Sequence, residues 1–501
     1  MKQFLCSLAL ILLQMNGFSQ APSIQWQKTY GGVDYDYPNY VKQTNDGGFI
    51  LAGTTNSNSW IIKLDITGTV EWQKTFGGTF TDSAYCVQQT SEGGYIFTGS
   101  TQSNDGDVTA NHGGYDVWVV KLNTLGIIEW EKTYGGSAND VAKCIKQTKD
   151  DGYIIAAYTD SQDGDITLNH GDRDYWIVKL NSVGSIEWQK TYGGSDADEV
   201  KSVVQTFDGG FIVAGSTFSN DGDVINNHGG NDYWIIKLDS IGKIQWKKTY
   251  GGSGSEFAYG IEETLDKGYV IAGLSTSTNG DITENHGFAD SWIVKLNEIG
   301  TIEWQRTLGG SKFDEAISIK QVKNGGYVFV GQTQSIDGDV TGYHGGVNSD
   351  SWIVRLNEIG TIEWQRTLGG SKFDGALCVE QTTDNGFIVL IQTESVDGDV
   401  IANNGKSDFW LVKLNQEQLS TVSFNKNIMT VYPNPSTSFL YFQLPNNDLA
   451  DKVIITDLKG KVVLQQTTKT KQIETDKLTS GFYIIQVFSR NNHWQTKFIK
   501  R

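Results

Sequence analysis

The chain has 501 residues, 58 of them glycine and five proline, with a formal net charge of −18. That length exceeds one ordinary core, and glycine-rich, proline-poor composition suits tight hairpins between short strands. Residues 21–420 carry 28 Lys/Arg against 53 Asp/Glu, net −25. This excludes nucleic acid as a partner of the body, because phosphates demand basic surfaces.

Residues 1–19 read as a signal peptide. Lys2 is the charged start, Phe4 to Met15 is apolar, and Gly17-Phe18-Ser19 places small residues where a signal peptidase reads. About twelve apolar residues are too few to span a bilayer, which needs about twenty. No later stretch comes close, so no transmembrane helix is expected. Cys6 falls near the start of the apolar stretch, whereas a lipoprotein cysteine follows it.

Residues 20–415 repeat with a period near 58, the spacing of Trp72 and Trp130. One tryptophan recurs at Trp26, Trp72, Trp130, Trp188, Trp246, Trp304 and Trp364. A second recurs at Trp60, Trp118, Trp176, Trp234, Trp292, Trp352 and Trp410. Within residues 195–250, strands are expected at 200–206, 211–217, 233–238 and 243–250, joined by Gly/Asp turns. Four short strands per repeat make a propeller blade. The chain enters on 24–30, a fourth strand without its first three, and leaves after three strands at Leu414-Asn415. The first strand is therefore expected to complete the last of seven blades, removing exposed edges. Both tryptophan sets are read as packing between blades. Cys86, Cys144 and Cys378 share one repeat position with Ser202, Gly260 and Ser318, which points to small buried side chains and not to disulfides.

The x-Asp-Gly-Gly turn, the Ala-Gly-Ser-Thr second strand and the Asn/Asp-x-x-Gly turn resemble the grammar of WD-repeat and quinoprotein-type propellers. The resemblance covers roughly 24–415. It departs from WD repeats in lacking their Gly-His and Trp-Asp signatures, so it implies architecture and no partner.

Alternation of the strands puts two acidic features on one face. An acid follows each Gly-Gly by four residues: Asp36, Asp82, Asp140, Asp198, Glu256, Asp314 and Asp374. The long loop of later repeats reads Asp-Gly-Asp-Val/Ile-x-x-Asn-His-Gly and contains Asp105 and Asp107, Asp163 and Asp165, Asp221 and Asp223, Asp337 and Asp339, and Asp397 and Asp399, with Asp281 alone in one copy. The same loop ends on an aspartate two residues before the second tryptophan: Asp116, Asp174, Asp232, Asp290, Asp350 and Asp408. Carboxylates two apart across a glycine are hard oxygen ligands suited to calcium. The competing reading is that they bond their own loop backbone as Asx turns. The loop histidines (His112, His170, His228, His286, His344) lie in separate repeats, too far apart to share an ion.

No nucleophile elbow, zinc motif, phosphate loop or sialidase-type Asp box is present, so an enzyme reading finds little support. Residues 290–314 recur at 350–374 with one difference, Lys295 against Arg355. Arg173 and Lys406 break the repeat and are candidates for anything unique.

A polar linker spans 416–428. Beyond it come Val431-Tyr432-Pro433-Asn434-Pro435, Asp457-Leu458-Lys459-Gly460-Lys461-Val462-Val463, Leu478-Thr479-Ser480-Gly481-Phe482-Tyr483-Ile484-Ile485 and a basic end, Lys497-Phe498-Ile499-Lys500-Arg501. This ordered set over residues 429–501 resembles the C-terminal sorting domain of the type IX secretion system. The resemblance implies a small Ig-like β-sandwich, engagement of the type IX secretion machinery, and removal on export to the medium or cell surface. The body is then read as binding a protein or glycan. The alternatives are a secreted polysaccharide-acting hydrolase and a structural surface protein; blade-specific residues facing a central channel favour the hydrolase, and a sevenfold-uniform channel favours binding or structure.

Overall fold

The structure is a computed structural model describing residues 20–346, 348–417, 429–444, 449–457, 461–467, 469–489 and 492–501. The expected signal peptide and most of the expected linker lie outside the described residues. The chain divides into two compact units, Met1–Glu417 and Gln418–Arg501. Among the described residues all regular structure is β, with no helix.

The larger unit is a propeller-like succession of four-stranded antiparallel sheets. One sheet shows how sequence builds them all: Asp198–Gln205, Phe211–Thr217, Asp232–Leu238 and Ile244–Tyr250, hydrogen-bonded in that order. The second and third strands are buried at every position, which is why they read as continuous Val/Ile/aromatic runs. The fourth alternates more and is half-exposed, the mark of an outer strand. Between first and second strands, Asp208 accepts from the Gly210 N–H at 2.9 Å and from the Thr206 hydroxyl, closing the turn locally. Between third and fourth, Gly242 turns the chain at φ +78°; a Cβ there would sit 2.8 Å from the Trp188 ring of the preceding sheet.

Six sheets use four consecutive strands. A further sheet takes Asp374–Gln381, Phe387–Thr393 and Asp408–Leu414, with Ile24–Tyr30 as its fourth strand. The pairing runs antiparallel from Ile24 opposite Leu414 to Tyr30 opposite Phe409. That sheet packs against the one containing Asp36–Gln43: Trp60 meets Phe409 edge-on at 5.0 Å, and the Cys378 thiol donates to the Val41 carbonyl.

Tryptophans join neighbouring sheets. Trp188 lies edge-on to Phe211 at 5.9 Å, and the same contact repeats as Trp130 on Tyr153 and Trp364 on Phe387. The second set is almost wholly buried, as with Trp234, which lies 4.6 Å from Tyr175 of the sheet before it. Such rings contribute about 4–6 kcal/mol of apolar transfer each. Cys86, Cys144 and Cys378 are buried free thiols.

The smaller unit contains a three-stranded sheet (Thr430–Tyr432, Phe439–Gln443, Gln472–Glu474) and a four-stranded one (Val462–Gln466, Lys452–Thr456, Gly481–Ser489, Asn492–Lys500). Phe439–Gln443 alternates exposed and buried, so Leu440 and Phe442 face a core shared with Ile455, Ile485 and Val487 of the other sheet. The Pro-Asn-Pro segment is tied to the last strand: Asn434 accepts from the Ile499 N–H at 2.8 Å, and Ser436 N–H donates to the Ile499 carbonyl at 2.7 Å.

Candidate binding site

The Asp-Gly-Asp loops reach back to the Gly-Gly link that enters their own sheet. The first aspartate accepts a backbone N–H there: Asp105 from Thr79 (2.8 Å), Asp163 from Ser137 (2.7 Å), Asp221 from Ser195 (2.7 Å), Asp337 from Ser311 (2.7 Å) and Asp397 from Ser371 (2.8 Å). These bonds hold Asp105, Asp163, Asp221, Asp337 and Asp397 below the ordinary carboxylate range. The second aspartate accepts from the first glycine, Asp107 from Gly77 (3.2 Å), Asp165 from Gly135 (3.1 Å), Asp339 from Gly309 (3.3 Å) and Asp399 from Gly369 (3.4 Å). Asp223 instead pairs with Lys247 at 3.0 Å. The central glycine makes the approach: Gly222 has φ +60°, and a Cβ there would lie 2.5 Å from the Gly193 carbonyl oxygen. Nine of the ten carboxylates thus act as clasps on the Gly-Gly link, Asp223 being the exception. Among the described residues no three His, Cys, Asp or Glu side chains gather to hold a metal.

The other acids do not form an exposed acidic face. Asp36 is 2% exposed, and its six counterparts and all six aspartates before the second tryptophan are fully buried. They meet in pairs across the first glycine: a Cβ on Gly193 would strike Asp174 on one side and Asp198 on the other. Asp198 accepts from Gly194 N–H (2.8 Å) and the Ser219 hydroxyl (3.0 Å), while Asp174 Oδ1 has no hydrogen-bond partner. Burial, with Asp174 adding, pushes Asp198 up to about 6. At one junction the pair is Asn58 and Asp82. Each loop histidine is tied through Nδ1 to its own buried aspartate, as in His170–Asp174 at 2.6 Å. Composition alone could not separate buried from exposed acids.

A cavity of about 240 Å³ is lined by first strands from every sheet of the larger unit. Each first strand carries a β-bulge three residues after its buried acid. A bulge inserts an unpaired residue and re-aims it, and here every bulge residue lines the cavity: Asn39, Tyr85, Lys143, Lys201, Tyr259, Ile317 and Leu377. Sequence reasoning passed over this position. The available signal was its irregularity inside an otherwise uniform strand.

One side of this cavity collects unlike groups. Lys143 Nζ lies 4.4 Å from the Tyr85 ring centre and 5.4 Å from that of Tyr158, and Arg173 stacks on Tyr158 at 4.0 Å. Arg173 pairs with Asp160 at 2.9 Å, and Lys201 with Glu199 at 2.6 Å. Burial, reinforced by Lys201 and Arg173, brings Lys143 down to about 8. Glu315 is pushed up by burial, whereas Lys201 holds Glu199 down against its burial. A wider pocket of about 570 Å³ adjoins through Asn39 and Tyr85 and contains Tyr35 and Tyr37, stacked 5.9 Å apart. Lys406 lies over Tyr35 and pairs with Asp34 at 3.2 Å. Deeper, Glu380 binds Lys42 (2.8 Å) and Lys320 (3.5 Å), and Lys146 donates to Tyr40 at 2.8 Å.

Residues 430–501 match the model of the secretion system C-terminal sorting domain, which implies secretion to the cell surface or outside by the type IX machinery. A comparison with curated proteins finds no match. Among solved structures, the chain is similar to PorZ of Porphyromonas gingivalis, described as an essential bacterial surface component of the type-IX secretion system. Identity is 12% and the TM-score 0.39, over 94% of this chain and 60% of that one. It is also similar to the Neurospora crassa Pan2 WD40 domain (10% identity, TM-score 0.42, 76% of this chain and 91% of that one). YCF48, solved bound to D1 peptide, is similar at 8% identity and a TM-score of 0.41, over 79% of this chain and 98% of that one.

Proposed function

We propose that the protein is an exported binding protein: a closed seven-bladed propeller, delivered by its sorting domain, that takes a protein or glycan ligand at the mouth of its central channel. The observation that carries this reading is the bulge position. Blade-specific residues at a channel were expected to favour a hydrolase, but the seven found there include no Asp or Glu, so they can recognise a ligand without themselves supplying an acid–base pair. Clasps, buried acids and tryptophans recur nearly unchanged, whereas Asn39, Tyr85, Lys143, Lys201, Tyr259, Ile317 and Leu377 differ around one cavity. Scaffold positions repeat and recognition positions diverge. The strand Ile24–Tyr30 completing the last sheet supports ring closure, and the shared two-sheet core supports an Ig-like tail. In a host with the matching machinery, the secreted form is expected to begin near Gln20 and to end near the 416–428 linker, read by intact mass. That form is then expected to capture a ligand in a glycan-array and pull-down screen. A full-length secreted mass counts against cleavage, and capture of nothing counts against binding.

A hydrolase is the second reading, favoured by Glu315 and Glu199, which both act on Tyr259 and whose protonation is driven in opposite directions. Release of reducing ends from a captured polysaccharide, lost in Glu315→Gln, would establish it.

A further inference from the structure

The binding reading above can be carried to a ligand class. We propose that the channel mouth, with the tyrosine pocket beside it, binds an acidic sugar, a uronic acid residue whose carboxylate is met by Lys143.

Charge balance at the mouth supports this first. Each of three cations already has an acid: Arg173 has Asp160, Lys201 has Glu199, and Lys406 has Asp34. Lys143 lies over the faces of Tyr85 and Tyr158, and among the described residues no carboxylate lies within ion-pair distance of it. Lys143 has no acid, is half-buried and lines the cavity, in a body whose formal charge is −25; Lys146, which also lines the cavity without an ion pair, is instead taken up by the Tyr40 hydroxyl. An anionic group would give Lys143 the partner that the other three cations already have. A polyanion gains little from the rest of the surface, so recognition is local and geometric.

The walls support a sugar over a peptide. The adjoining pocket is lined only by Asp, Tyr, Asn, Thr and Ser side chains, with no aliphatic residue. Tyr35 and Tyr37 are 45% and 44% exposed and nearly parallel, at 3° between planes. Flat rings receive the C–H faces of a sugar, while the amides and hydroxyls meet its OH groups. A peptide site needs apolar pockets for side chains; the tyrosine pocket offers none, and the aliphatic Ile317 and Leu377 belong to the channel cavity. The volume of about 570 Å³ falls within the range of small-ligand sites.

Tetragalacturonate and a neutral galactose tetramer differ at C6 alone, carboxylate against hydroxymethyl, so titrating both into the full chain isolates the charge. The acidic tetramer is expected to bind at least about tenfold more tightly at pH 7, a margin of about 1.4 kcal/mol. Lys143→Met should reduce it to the neutral tetramer's level, and Tyr37→Ala should weaken both. Tyr85, Tyr158, Lys201, Glu199 and Arg173 face Lys143. Binding of the acidic tetramer should fall as pH passes about 8, where Lys143 loses its proton, and stay flat in Lys143→Arg, because a guanidinium does not titrate there. Equal affinity for the two tetramers, an unaffected Lys143→Met, or preference for an acetylated peptide with a free C-terminal carboxylate would each overturn the inference. Capture of some other ligand in the wider screen would leave the binding reading standing while this one fell.

Discussion

Buried carboxylates facing each other are costly, because neither charge can be hydrated and each repels its neighbour. Asp408 and Asp36 show this most simply. They meet across Gly31, Asp408 Oδ2 accepts only a local N–H from Asn404 at 2.6 Å, and Asp408 Oδ1 has no hydrogen-bond partner. Burial, with Asp36 adding, raises the Asp408 carboxyl. A raised acid stays protonated in the folded state after the unfolded chain has ionised. Stability therefore falls as pH rises above about 4 and through the folded value. Asp408→Asn removes one of the two facing charges, as the neutral Asn58 already does opposite Asp82. It is expected to raise stability by about 1–2 kcal/mol at pH 7–8 and to have no effect near pH 4, by thermal melts at the two pH values. Spacing revealed these acids one by one, but an acid buried beside a second acid from the next repeat is a tertiary fact. The Asn58 substitution was visible and carried no meaning until the pairs were seen.

The strand and the loop were unequally legible. Strands were read within two residues, because a buried third strand such as Asp232–Leu238 and a turn such as Asp239-Ser240-Ile241-Gly242 carry their own signals. The bulges were not read, since a bulge is defined by two residues opposing one on the partner, as where Val200 and Ser202 pair with Gly215 and Ala214 around Lys201. The near-copied repeat makes a related point. Arg355, replacing the lysine of its twin, reaches Glu417 at 2.7 Å, and Trp364 Nε1 donates to the same carboxylate at 2.9 Å. In the clasps, closeness of backbone dominates. Gly222→Ala is expected to destabilise by about 1–3 kcal/mol, through left-handed backbone and contact with the Gly193 oxygen. Chelator at fixed ionic strength is expected to leave the melting curve unchanged, because the Asp-Gly-Asp carboxylates already accept backbone N–H groups. A clear drop with chelator would support calcium in these loops.

For the larger unit as a whole, the decisive pairing joins residues almost four hundred positions apart. Removing residues 24–30 takes away the partner of Asp408–Leu414, the Trp26–Phe49 contact, and the Gln27 acceptor of Trp410 Nε1 at 2.7 Å. A fall in Tm of about 10 °C is expected, from about 4 kcal/mol of lost burial at about 2–4 °C per kcal/mol. Oligomers should appear as Asp408–Leu414 becomes an edge; a monomer melting with the intact protein would refute the closure. This pairing was legible because an incomplete repeat at each end of the series implies its complement. The same pair has a mechanical side. Ile24 lies opposite Leu414, and Asn415 N–H donates to the Ser23 carbonyl at 2.9 Å, so the chain enters and leaves the unit at one end of one antiparallel ladder. Tension applied between these two points loads the ladder's hydrogen bonds in succession, peeling the strand away rung by rung, whereas tension along the strands would shear them all together. The pairing of the unit's first strand with its last is therefore also its weakest point under a pull from its own ends.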